Sequence, residues 1–81
     1  MKKIKIATFN FGEYNVDAIE GTDSFGVEAV EFKLHKKGSG KKYMFGITKN
    51  DAYQYMQNGE LEEFVASNLP RYIEQYEQGT L

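Results

Sequence analysis

The chain has no cysteine, which excludes disulfide bridges and thiolate chemistry together. Its single histidine, His35, is too little for a zinc site built within one chain. Its single arginine, Arg71, argues against a specific reader of DNA grooves, because such readers lean on arginine. No apolar run approaches the length of a membrane span. The start, Met1-Lys2-Lys3-Ile4-Lys5-Ile6, is basic like a signal peptide but has no sustained apolar stretch behind it. These absences lead us to expect a soluble cytoplasmic protein that needs no membrane and no cofactor.

Catalytic groupings are equally sparse. The serines Ser24, Ser39 and Ser67 have no base beside them in sequence. Glu62 and Glu63 are neighbours on a predicted helix, so they point about 100° apart and make no general acid–base pair. Gly38-Ser39-Gly40-Lys41-Lys42 lacks the spacing of a phosphate loop, and no Ser or Thr follows its lysine. Asp17, Glu20 and Asp23 do not follow the calcium-loop pattern. A non-enzymatic protein is expected.

What is present is a strand-rich front and a helical back. Eighty-one residues are the length of one small α+β domain, 1–81. Alternation predicts strands at 2–9 and 14–20, then a clear hairpin. Its first arm, 27–35, sends Val30, Phe32 and Leu34 one way and Glu31, Lys33 and His35 the other. Its second arm carries Tyr43, Phe45 and Ile47 on the same apolar face. Thr48 or Asn50 can cap a short helix that stops at Asn58-Gly59. Leu61, Phe64, Val65, Asn68, Leu69, Tyr72, Ile73 and Tyr76 then fall on one face of a second helix. Pro70 either kinks that helix or divides it, and a break near Ser67 is the preferred reading. Residues 75–81 are expected to fray. The predicted fold is a small antiparallel sheet of three to four strands, followed by two or three C-terminal helices packed on one face.

Charge is unevenly distributed. Residues 1–50 carry nine Lys against six Asp and Glu, whereas residues 51–81 carry one Arg against six. The ordinary reading is a solvated surface. The functional reading is two oppositely charged ends that steer partners. At the acidic end, Glu60, Glu62, Glu63, Glu74 and Glu77 form a candidate docking face for a protein with a basic surface. At the basic end, Lys36, Lys37, Lys41 and Lys42 could meet phosphates, with Tyr43 or an outward aromatic stacking on a base. Lysines at a hairpin tip also serve plainly to keep strand edges from pairing. A third reading is a homodimer joined through the exposed sheet face, where Val27, Ala29 and Met44 would supply apolar contact.

Tyr14-x-Val16, the loop Gly21-Thr22-Asp23-Ser24, the following hairpin, the helix stop at Asn58-Gly59 and the acidic Glu62-Glu63-Phe64 together resemble the layout of small phage anti-CRISPR inhibitors of Cas9. The likeness covers roughly residues 14–69. It implies a non-enzymatic inhibitor that presents acids to a basic DNA-binding groove. The chain departs from that family in its extra first strand and its lysine-rich hairpin tip, so no residue roles transfer position by position.

Overall fold

The computed structural model describes residues 3–22 and 25–78. Four strands, β1 (Ile4–Phe11), β2 (Tyr14–Thr22), β3 (Glu28–Lys36) and β4 (Lys42–Thr48), are followed by α1 (Lys49–Gln57) and α2 (Leu61–Gln78). The strands form one antiparallel sheet in the order β1-β2-β3-β4. The helices pack on β3 and β4 from one side. This is the α+β architecture expected from the alternation and helical periodicity. Of the predicted loop 21–24, Gly21 and Thr22 belong to β2, while Asp23 and Ser24 lie outside the described residues.

The first strand changes phase partway. Lys5 pairs with Ile19 but Ala7 pairs with Ala18, so Ile6 is an extra residue in a β-bulge. Without the bulge, Ile4 would share a face with Ile6 and the aromatics at 9 and 11 would point the other way. With it, Ile6, Ala7, Phe9 and Phe11 all pack against the core. The β1–β2 turn places Gly12 at φ 69°, the left-handed conformation that a two-residue II′ hairpin asks of its first residue.

The core lies between sheet and helices. Val16, Ala18, Val30, Phe32 and Leu34 supply it from the strands, and Ala52, Leu61, Val65, Tyr72 and Tyr76 from the helices. Aromatic rings span the layer. Phe32 stacks on Phe45 with centroids 5.0 Å apart, Phe45 stacks on Tyr72 at 3.7 Å, and Phe64 stacks on Tyr55 at 4.6 Å. Such rings bury large areas per residue, which a short chain without cross-links requires.

Thr48 caps α1 by accepting the Asp51 N–H at 3.2 Å. At the other end the Glu60 N–H bonds to the Tyr55 carbonyl, the Gly59 N–H bonds to the Met56 carbonyl, and Gly59 sits at φ 70°. That pair of bonds is a Schellman stop, which satisfies carbonyls the helix would otherwise orphan.

The structure corrects two expectations about α2. It is one helix of 18 residues that runs through Pro70. Pro70 and Ala66 both lie on the exposed side. The Ala66 carbonyl, which loses its donor to the proline, is therefore beside water rather than in the core. Buried Leu61 and Val65 on one side of Pro70, and Tyr72 and Tyr76 on the other, hold both halves to the same sheet. Nor does the chain fray at residue 75: helix continues to Gln78, because three side-chain contacts pin its end. The Tyr76 hydroxyl donates to Ser39 Oγ at 3.0 Å, the Tyr14 hydroxyl donates to Glu77 Oε1 at 3.2 Å, and Lys41 Nζ donates to the Glu77 carbonyl at 3.3 Å. Residues 79–81, also expected to fray, lie outside the described residues.

Candidate protein-interaction surface

The five glutamates of the predicted docking face fall into two groups. Glu60, Glu62 and Glu63 sit exposed at the start of α2, and Glu74 and Glu77 sit exposed near its end. Glu74 follows Glu63 by eleven positions, about 16 Å at the helical rise. Between them lie Ala66, Ser67, Pro70 and Arg71. Arg71 donates to Asn68 Oδ1 and lies over the Tyr72 ring. The surface is therefore two acidic spots rather than one face.

Those spots differ in kind. Glu77 is part of the fold, since its carboxylate and its carbonyl both accept bonds from other elements. The Lys41 ammonium also offsets the unfavourable placement of acids at a helix C-terminus. At the N-terminal spot Glu60 bonds to Tyr55 through its backbone N–H, and among the described residues no hydrogen bond or ion pair engages the carboxylates of Glu60, Glu62 and Glu63. Residues 50–70 contain Asp51, Glu60, Glu62 and Glu63 and no Lys or Arg. A shallow groove of about 210 Å³ opens at this α1–α2 corner, lined by Tyr55, Glu60, Glu63, Phe64, Ser67 and Asn68. On this lining Glu60, Glu63 and a stacked Tyr55–Phe64 pair combine charge with aromatic surface. That combination suits a lysine or arginine side chain.

The lysine tip differs from a free basic hairpin. Lys36 lies 5.9 Å from the Tyr14 ring centroid, and Lys41 lies 5.2 Å from that of Tyr76 while holding the α2 terminus. Lys37 and Lys42 remain exposed. The expectation of two oppositely charged ends is corrected here: the tip and the C-terminal acids meet. Tyr43 is not available as a base-stacking platform, because it packs on Phe45 and Tyr72 inside the layer. Phe9, Phe11, Tyr14, Phe32 and Phe45 likewise pack on the helix side. Among the described residues the sheet's open face carries no Phe or Tyr side chain from the strands.

That open face is polar. Asp17 accepts from the Thr8 hydroxyl at 3.0 Å and lies 3.6 Å from His35 Nε2. Asn10 donates to Asn15 at 2.9 Å. The fold thus brings His35 and Asp17 together, and Ser39 lines the same hollow. No catalytic relay results: Ser39 Oγ accepts from the Lys41 N–H and the Tyr76 hydroxyl, and no bond to His35 occurs among the described residues. Ala29 and Met44 lie on this face as expected, and Ala29 lines a hollow of about 450 Å³ together with Val27.

A third polar cluster ties α1 to the sheet. Lys49 bridges Glu20 at 3.5 Å and Glu28 at 3.2 Å, and the Tyr53 hydroxyl donates to Glu20. The bond to Glu28 raises the Lys49 pKa, and the bond to Glu20 raises that of Tyr53. Tyr14 is raised by partial burial first and by its bond to Glu77 second. Among the described residues no three His, Cys, Asp or Glu side chains gather as metal ligands, and no helix is long and apolar enough to cross a membrane.

Sequence reasoning missed the groove at the α1–α2 corner and the His35–Asp17 contact. The helix stop at Gly59 hinted at the first by placing Glu60 and Glu63 beside the end of α1. The second needed the β2–β3 register, which aligns Asp17 with Lys33 and Asn15 with His35. A search for relatives finds no matching protein-family model, no matching curated protein and no matching solved structure, so no family is assigned.

Proposed function

We propose that this protein is a non-enzymatic interaction module, an inhibitor or regulator that docks an acidic helical surface on a basic partner. The observation that supports it most is the α1–α2 corner, where Glu60 and Glu63 line a groove together with Tyr55 and Phe64, in a stretch without basic residues. Charge complementarity of this kind speeds encounter and sets orientation. The proposal narrows the docking face to Glu60, Glu62 and Glu63 and assigns Glu77 to the fold. The resemblance to small phage inhibitors of Cas9 supplies a first partner to try, since their acids occupy a basic DNA-binding groove.

The test is a binding and DNA-cleavage assay with Cas9, alongside capture of partners from the native host. The Glu60→Lys/Glu63→Lys double variant should lose the partner that the unaltered protein holds, while Lys37→Glu keeps it. Retention by the double variant, at unchanged folding, would remove the acidic corner as the docking site.

A further inference from the structure

The turn end of the open sheet face holds a hollow of about 280 Å³, lined by Asp17, Lys33, His35, Ser39, Lys41 and Lys42 together with Gly40. We propose that this hollow binds a phosphate group.

The argument begins with register. His35 on β3 stands directly opposite Lys42 on β4, and Lys33 stands opposite Asp17 on β2. All four side chains share the face away from the helices. Two ammonium groups, those of Lys33 and Lys42, thus border the hollow against one carboxylate, while the Lys41 ammonium is held by the Glu77 carbonyl. Asp17 is already engaged by the Thr8 hydroxyl and by His35. Among the described residues neither Lys33 nor Lys42 forms an ion pair. Like charges placed together on a sheet repel. An anion bearing more than one charge relieves that repulsion, and lysine serves as a point-charge partner for phosphate.

The rim is held in advance. The Ser39 N–H donates to the Lys36 carbonyl at 3.1 Å, and Ser39 Oγ accepts from the Lys41 N–H at 3.1 Å. The Tyr76 hydroxyl then clamps Ser39 to α2. With two bonds accepted, the Ser39 hydroxyl keeps its own proton to donate. The hairpin tip is thereby fixed by a second element, and a preformed site loses less entropy on binding.

The phosphate could belong to a free small anion or to a nucleic-acid backbone, and the same experiment separates them. Backbone amide NMR shifts are followed while inorganic phosphate, pyrophosphate or a short single-stranded oligonucleotide is added at matched ionic strength. Saturable shifts at Lys33, His35, Ser39, Gly40 and Lys42 are expected, larger for pyrophosphate than for phosphate. Tighter oligonucleotide binding, with shifts spreading to Lys36 and Lys37, assigns the hollow to a backbone phosphate; equal or weaker binding assigns it to a free anion. For phosphate and pyrophosphate, the ligands on which the variants are compared, Lys33→Gln and Lys42→Gln should each weaken binding about tenfold, the worth of one charge-assisted hydrogen bond, whereas Lys37→Gln should not. The proposal is overturned if the native protein shows no saturable shift beyond that of chloride. It is equally overturned if Lys37→Gln weakens binding as much as Lys33→Gln does, because diffuse charge would then explain the effect.

Discussion

Replacing Pro70 by alanine should stabilise the protein. In the interior of a helix, proline is about 3 kcal/mol less favourable than alanine, through the missing N–H and the clash with the preceding turn. Pro70 lies inside α2 and on its exposed side, so the substitution removes no buried contact. It restores a donor to the Ala66 carbonyl. Against this stands the greater freedom of the unfolded chain once proline is gone, about 1 kcal/mol. The net gain is about 2 kcal/mol. For a domain of this size that corresponds to a rise in Tm of about 8–16 °C. Urea and thermal unfolding followed by circular dichroism measure it directly. If residues 61–78 formed two helices, with Pro70 in the first turn of the second, proline would be well placed and the change would be neutral or destabilising. A midpoint equal to or below that of the unaltered protein would therefore refute a continuous α2.

Stability should fall at alkaline pH. Tyr14, Tyr53 and Lys49 all have raised pKa values, so the folded protein keeps protons that the unfolded chain gives up. Their contribution is complete below the unfolded values, near pH 10, and is lost as pH rises through the folded ones. Urea midpoints measured from neutral to alkaline pH should show this decline, and the double variant Tyr14→Phe/Tyr53→Phe should flatten it; an unchanged slope would count against those two bonds. Phe32→Ala removes a fully buried ring that touches Phe45 and Phe64. A loss of about 3–5 kcal/mol is expected, enough to unfold much of a marginally stable small domain; a cooperative transition within 1 kcal/mol of the original, an order-of-magnitude margin, would mean that the ring lies outside the core.

Much of this architecture is legible without coordinates. Val30-Phe32-Leu34 and Tyr43-Phe45-Ile47 announce a hairpin with one apolar face, and the structure pairs Phe32 with Phe45 across it. Asn58-Gly59 announces the end of α1 because only a left-handed residue closes that turn without strain. The first strand is less legible. Alternation from Ile4 to Ile6 suggests an even-numbered face, yet the bulge passes the inner face to Ala7, Phe9 and Phe11. A bulge is settled by pairing with β2, and no local pattern encodes it. Pro70 is misread for a related reason. Its local cost favours a break, but the apolar stripe on both sides of it gains more by staying on one sheet.

The functional surfaces divide the same way. The order of residues was enough to establish an α+β fold, an acidic second half, and the absence of thiols, paired histidines and long apolar spans. Those properties follow from composition and from periods of two and three to four residues, which act over short distances. Only the folded chain decided that Glu77 belongs to the scaffold, that Glu60 and Glu63 flank a groove, and that Lys33, His35 and Lys42 converge on one hollow. Each of these joins residues from different elements, and a contact of that kind exists only once strand register and helix docking are set.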